Sequence, residues 1–146
     1  MGYFEVNQRT GVRWNTSKAF LRPAIPRDNL QVWTGATVER VLLEGGRATG
    51  VLVRPAQGGE PFAALATREV ILCAGAVGTP QILQLSGIGP AGLLREHGIA
   101  VEHELPGVGE NLQDHLQIRA VFQVDGVTTL NTLAGSWWGK ARIGLE

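Results

Sequence analysis

The residues with most chemical potential run from Val70 to Leu85. Val70-Ile71-Leu72-Cys73 is a continuous apolar run, the pattern of a strand covered on both faces in a parallel sheet. Ala74-Gly75-Ala76-Val77-Gly78 follows as a small-residue turn, and Thr79 and Pro80 suit the N-cap and first position of a helix reaching Leu85. Ligands of open α/β sheets bind beyond the carboxyl ends of the parallel strands. Ala74 and Gly75 would sit at such an end and let a ligand approach the backbone closely. The helix N-terminus near Thr79 would add donors and partial positive charge for an anion such as a pyrophosphate. Small residues at strand–helix turns also serve packing alone, and the residues by themselves leave both uses open.

Other reactive side chains are scattered. His97 falls at an expected helix end, where the dipole favours a cation, and His103 lies between Glu102 and Glu104 in an expected exposed strand. His115 follows Asp114, which either orients an imidazole, as in catalytic pairs, or anchors a loop. Cys73, with no base near it in sequence, reads as an inert buried thiol. Trp137-Trp138 either stacks on a substrate or packs in a core or subunit contact. A Gly-x-Gly-x-x-Gly after an N-terminal strand, a P-loop and a closely spaced metal-ligand motif are all missing from these residues, so no metal site is expected.

The elements that must position these residues are set by composition and pattern. The 146 residues suit one compact domain, and hydrophobic and charged shares of 44% and 18% permit a packed core. Thirteen basic and thirteen acidic side chains cancel, which speaks against a nucleic-acid partner or a polybasic membrane anchor. A single cysteine excludes a disulfide framework within the chain. Glycine, at 20 residues, is about twice its usual share of roughly 7%. Met1 to Glu5 lacks the basic and apolar blocks of a signal peptide, and Val6 stands where myristoylation wants a hydroxyl. The longest apolar stretch, Val70 to Val77, is far short of the roughly 20 residues a spanning helix needs. A soluble, cytoplasmic protein without a transmembrane segment is expected.

Along the chain, residues 1–28 are polar and mixed, with a short helix over Lys18 to Leu21, capped by Thr16 or Ser17 and ended by Pro23 and Pro26. Leu30 to Thr34 alternates, Thr37 to Leu43 is β-branched and apolar, and Thr49 to Val53 reads as a return strand after Gly45-Gly46. With Pro61 to Ala66 after Gly58-Gly59, this predicts an antiparallel meander of three or four strands. Pro90 to His97 predicts a second helix stopped by Gly98, Leu105 to Asn111 a loop, and Ile118 to Val124 a strand. The stretch from Thr128 to Glu146 carries no clear stop signal and reads as cut off.

One long pattern adds a second line of argument. Gly75-Ala76-Val77-Gly78-Thr79-Pro80-Gln81-Ile82-Leu83-Gln84-Leu85-Ser86-Gly87-Ile88-Gly89 resembles the second signature of the glucose-methanol-choline (GMC) oxidoreductases, which are FAD-dependent alcohol dehydrogenases and oxidases. Supporting segments stand in family order: Gly11-Val12-Arg13, Asn29-Leu30, Thr34-Gly35, Val38, Arg68 to Leu72 and Leu105 to His115. The resemblance covers nearly the whole chain and is nearest to the choline-dehydrogenase-like branch; Asn15, where a small hydroxyl residue is expected, is a minor departure.

The resemblance implies a fold of α/β class with mixed α+β character: an incomplete, Rossmann-like FAD-binding domain with an antiparallel β-meander. Residues 1–115 would be its central part, and residues 116–146 the start of a substrate-binding domain. It implies an alcohol whose hydroxyl proton goes to a base and whose α-hydrogen passes as hydride to the flavin, with oxygen or another acceptor reoxidising it. It places the backbone of Val38 against the FAD adenine with Thr37 beside it, and Cys73, Ala74 and Gly75 along the adenosine and pyrophosphate side. The role of Asn111 to His115 stays open. The family's dinucleotide fingerprint and catalytic histidine match nothing here, so no catalytic residue is assigned and the 146 residues alone are expected to be an inactive internal fragment. Two rivals follow: a stand-alone binding or structural protein of the same fold, which a sharp thermal transition of a monodisperse preparation would favour, and a nicotinamide-dependent enzyme, which no fingerprint supports.

Overall fold

A computed structural model describes residues 7–118 and 120–145. Two compact units divide the chain, Met1–Leu112 and Gln113–Glu146.

The first unit opens with a small hairpin, β1 (Gln8–Arg9) against β2 (Val12–Arg13), turned by Thr10 and Gly11 at positive φ. A π-helical turn, Ser17–Leu21, runs straight into a single α-turn, α1 (Arg22–Ala24). Pro23 therefore lies within the helical segment rather than ending it, because the first positions of an α-turn need no intrahelical N–H. The side chain that accepts the first free amide is also not Thr16 or Ser17: Asn15 Oδ1 takes the Lys18 N–H at 3.0 Å.

The expected meander is present as three antiparallel strands: β3 (Ala36–Glu44), β4 (Arg47–Pro55) and β5 (Phe62–Leu65), in that order. β-Branched and apolar residues form β3, Thr49, Val51 and Val53 alternate along β4, and Gly45-Gly46, both at positive φ, turn one into the other. Gly50 lets β5 come close, since a Cβ there would stand 2.4 Å from the Ala64 carbonyl oxygen. Leu30 to Thr34 is not a fourth strand. It pairs with no strand among the described residues, and Trp33 instead sets its ring edge-on to Phe62 at 5.5 Å.

The run from Val70 to Cys73 departs most from expectation. It is unpaired among the described residues, with Ile71 73% exposed and Cys73 exposed, so the buried parallel strand and the buried thiol are both corrected. A strand needs a neighbour for its backbone groups, and no described residue supplies one on either side. The helix after it, α2 (Gly75–Leu85), starts earlier than Thr79 and holds Pro80 inside it. Thr79 Oγ1 accepts the Ala74 N–H at 3.1 Å, closing the turn from within the helix, and the Ala76 carbonyl that Pro80 cannot bond belongs to an exposed residue.

After α2, β6 (Ile88–Gly89), α3 (Ala91–Glu96) and β7 (His103–Glu104) form a small unit in which β6 and β7 pair in parallel. Gly98, at φ +67°, ends α3 as expected, and the Ile99 N–H returns to the Leu94 carbonyl at 2.8 Å. Among the described residues Leu94, 1% exposed, is the most buried large side chain, and Val41, Val53, Ala91 and Val108 complete the buried hydrophobic core.

The second unit carries α4 (Leu130–Ala134) and α5 (Trp137–Leu145). Thr129 caps α4, its Oγ1 accepting the Thr132 N–H at 3.2 Å. The described residues of 118–124 form no strand, and Val121 and Phe122 are exposed. Trp137 and Trp138 are each 88% exposed and form no core of this chain. Among the described residues no helix is long and apolar enough to cross a membrane.

Candidate functional site

The edge of the meander and the helix beside it create a concavity. β3 is an edge strand, and α2 packs along its open side. Between them lies a cavity of about 440 Å³ lined by Thr37, Val38, Glu39 and Arg40 from β3 and by Gln81, Ile82 and Leu85 from α2.

A β-bulge decides what this edge offers. Val38 pairs with Val53 and Arg40 with Leu52, which leaves Glu39 as the extra residue. The Ala56 N–H bonds the Gly35 carbonyl at 2.7 Å, so alternation along the ladder turns the N–H and C=O of Val38 outward. The Val41 N–H also points outward, and donates to Ser86 Oγ at 2.8 Å. In a regular strand, residues three apart face opposite edges; the bulge puts Val38 and Val41 on the same one. Glu39 itself turns to Arg54 and forms an ion pair.

The five residues expected to bind a cofactor divide into two groups. Thr37 and Val38 line the cavity. Cys73, Ala74 and Gly75 do not; they are exposed and stand where the chain enters α2. Gly75 has φ +84°, a conformation that favours glycine, and Gln81 lies six residues further, about 9 Å along the helix. Gln81 and Leu85, one turn apart on α2, were not singled out from sequence, although their i, i+4 spacing places them on one face.

The two histidines of the first unit, His97 and His103, stand on separate elements. His97 closes α3 through its backbone, and His103 sits exposed on β7. Asp114 Oδ1 accepts the backbone N–H of His115 at 2.7 Å, a contact with the backbone and not with the imidazole. No group of three His, Cys, Asp or Glu side chains among the described residues could hold a metal ion.

Comparison with known proteins gives this geometry a family. The model of the GMC oxidoreductase family matches residues 1–117. The chain belongs to the GMC oxidoreductase family. It is 45% identical over 136 residues to an oxygen-dependent choline dehydrogenase of Cronobacter sakazakii, covering 93% of this chain and 24% of that protein. This GMC chain thus spans about a quarter of the length of that relative. Its fold matches an FAD-dependent oxidoreductase from Chaetomium thermophilum with a TM-score of 0.67 and 43% identity, over 70% of this chain and 18% of the other. A fungal aryl-alcohol oxidase matches with a TM-score of 0.66 and 39% identity, over 70% and 17% of the two chains. The mixed α/β architecture with antiparallel sheets is therefore that of GMC flavoproteins, and the resemblance carried by Gly75 to Gly89 holds.

Proposed function

We propose that this chain supplies the adenosine side of an FAD site in an enzyme that oxidises a small-molecule alcohol. The observation that carries the reading is the register of β3, which turns the N–H and C=O of Val38 outward beside the cleft that Val38 lines between β3 and α2. One backbone donor and one acceptor, side by side on a strand edge, match the acceptor and amino donor on the edge of an adenine. Thr37 would stand beside the base, and Cys73, Ala74 and Gly75, small and exposed at the entry to α2, would admit the rest of the adenosine and the pyrophosphate. Bound FAD supplies the hydride-accepting chemistry of the longer enzyme. In this reading residues 1–115 belong to the FAD-binding domain and residues 116–146 begin the substrate-binding domain. The name of the first relative makes a choline-like alcohol the first substrate to try in the longer protein.

The test is a titration of the isotopically labelled chain with ADP, followed through its backbone amide resonances. Saturable shifts centred on Thr37, Val38 and Cys73 to Gly75 are expected. Absence of shifts at Val38, or shifts centred elsewhere, would refute the assignment.

A further inference from the structure

Ser86 belongs to the long motif that ends in Ser86-Gly87-Ile88-Gly89, yet it lines no part of the cavity above. It is 7% exposed, and both capacities of its hydroxyl are used. The O–H donates to the Ile82 carbonyl at 2.5 Å, which aims an oxygen lone pair at the Val41 N–H, 2.8 Å away. That second bond is the one hydrogen bond recorded between the end of α2 and the open edge of β3 among the described residues.

We infer that Ser86 is a positioning residue for the nucleotide cleft: by holding the Val41 amide it fixes the bulged edge of β3 against α2, and so sets where the Val38 N–H and C=O stand. The inference rests on the proposed adenosine site. Its physical basis is the shared edge. The bulge sends the amides of Val38 and Val41 to the same side, and Ser86 occupies for Val41 the place that a ligand takes for Val38. Ile82 accepts the Ser86 hydroxyl and also lines the cavity, so the same contact fixes one wall of the cleft. Loss of the hydroxyl leaves a buried amide without its acceptor, which the edge can relieve only by shifting or admitting water.

The experiment compares the chain with Ser86→Ala, Ser86→Cys and Ser86→Thr, reading the Val38 and Val41 amide resonances without nucleotide and the Kd for ADP with it. Measured well below the unfolding midpoint, Kd does not report global stability, so a purely structural role would leave it unchanged. The inference expects both Ser86→Ala and Ser86→Cys to move the Val38 resonance and weaken ADP by about tenfold, with Ser86→Thr restoring both. A Val38 resonance unmoved by Ser86→Ala and Ser86→Cys overturns the inference whether or not ADP binds. An unchanged ADP Kd in those variants also overturns it, while leaving the adenosine site standing. Failure of the unaltered chain to bind ADP sinks the adenosine site instead, and the Val38 resonance then decides the positioning role alone. If neither Ser86→Ala nor Ser86→Cys folds, Ser86 is a folding residue and the inference fails.

Discussion

The side-chain amide of Gln84, on the last turn of α2, donates to the carbonyl of Val108 at 3.1 Å, across 24 residues of chain. The bond fastens the loop Leu105 to Asn111 to the helix that walls the candidate cleft. Two glycines make room for it. A Cβ on Gly89 would meet Gln84 Cγ at 3.1 Å, and one on Gly109, at φ +88°, would meet Gln84 Nε2 at 2.8 Å. The glycines of the motif end and of the loop thus share one partner, which explains two of them without any ligand.

Replacing Gln84 by Ala removes this tie and leaves the carbonyl of buried Val108 to find water. A loss of about 1 kcal/mol is expected from a single part-buried hydrogen bond of this kind. Urea unfolding would show it as a lower midpoint at unchanged slope. An unchanged midpoint would mean that the loop is held by other contacts.

Gly50→Ala tests the close approach of β4 and β5. The added Cβ would stand 2.4 Å from the Ala64 carbonyl oxygen, a backbone atom that cannot rotate away. Relief requires β5 to move, and a cost of about 1–3 kcal/mol is expected, as for other overpacked sites. Calorimetry would read it as a drop in Tm, whereas Gly92→Ala, at a helical site with open space for its Cβ, should leave Tm level or raise it.

What the sequence made legible follows from whether a local signal was enough. The meander was readable because β-branched alternation and the Gly45-Gly46 turn specify a hairpin without outside help. The end of α3 at Gly98 was readable for the same reason. Val70 to Cys73 was misread because an apolar run reports that a segment can be covered, and carries no information on what covers it. Ile118 to Val124 failed likewise, its apolar residues standing exposed in this chain. In the cleft, Thr37 and Val38 were reached only through the family resemblance. The bulge at Glu39, on which the facing of Val38 depends, leaves no mark in residue types, since it is set by register against β4. Gln81 and Leu85 were within reach of helical spacing alone.

The family resemblance assigns no catalytic residue to this chain, and the expectation that it does not oxidise alcohols by itself can be tested directly. Neither His97 nor His103 lines the cavity between β3 and α2. With FAD added, and choline or benzyl alcohol as donor, flavin absorbance should stay unbleached under anaerobic conditions. Bleaching that depends on the alcohol would show a catalytic base within these residues and would overturn the assignment of none.

Cys73 gives the proposed nucleotide site a chemical reporter. Its side chain is exposed in this structure, so a disulfide reagent should titrate one thiol in the folded chain without denaturant. The residue also adjoins Ala74 and Gly75 at the entry to α2, where the adenosine is proposed to pass. Saturating ADP should therefore slow the modification, and Cys73→Ser should remove the signal while leaving the shift of Val38 intact. Thiol access and the Val38 amide would report opposite ends of the proposed site. Protection of Cys73 without a response at Val38 would place the nucleotide on the helix entry alone. A response at Val38 without protection of Cys73 would confine it to the cavity beside β3 and remove Cys73, Ala74 and Gly75 from the site.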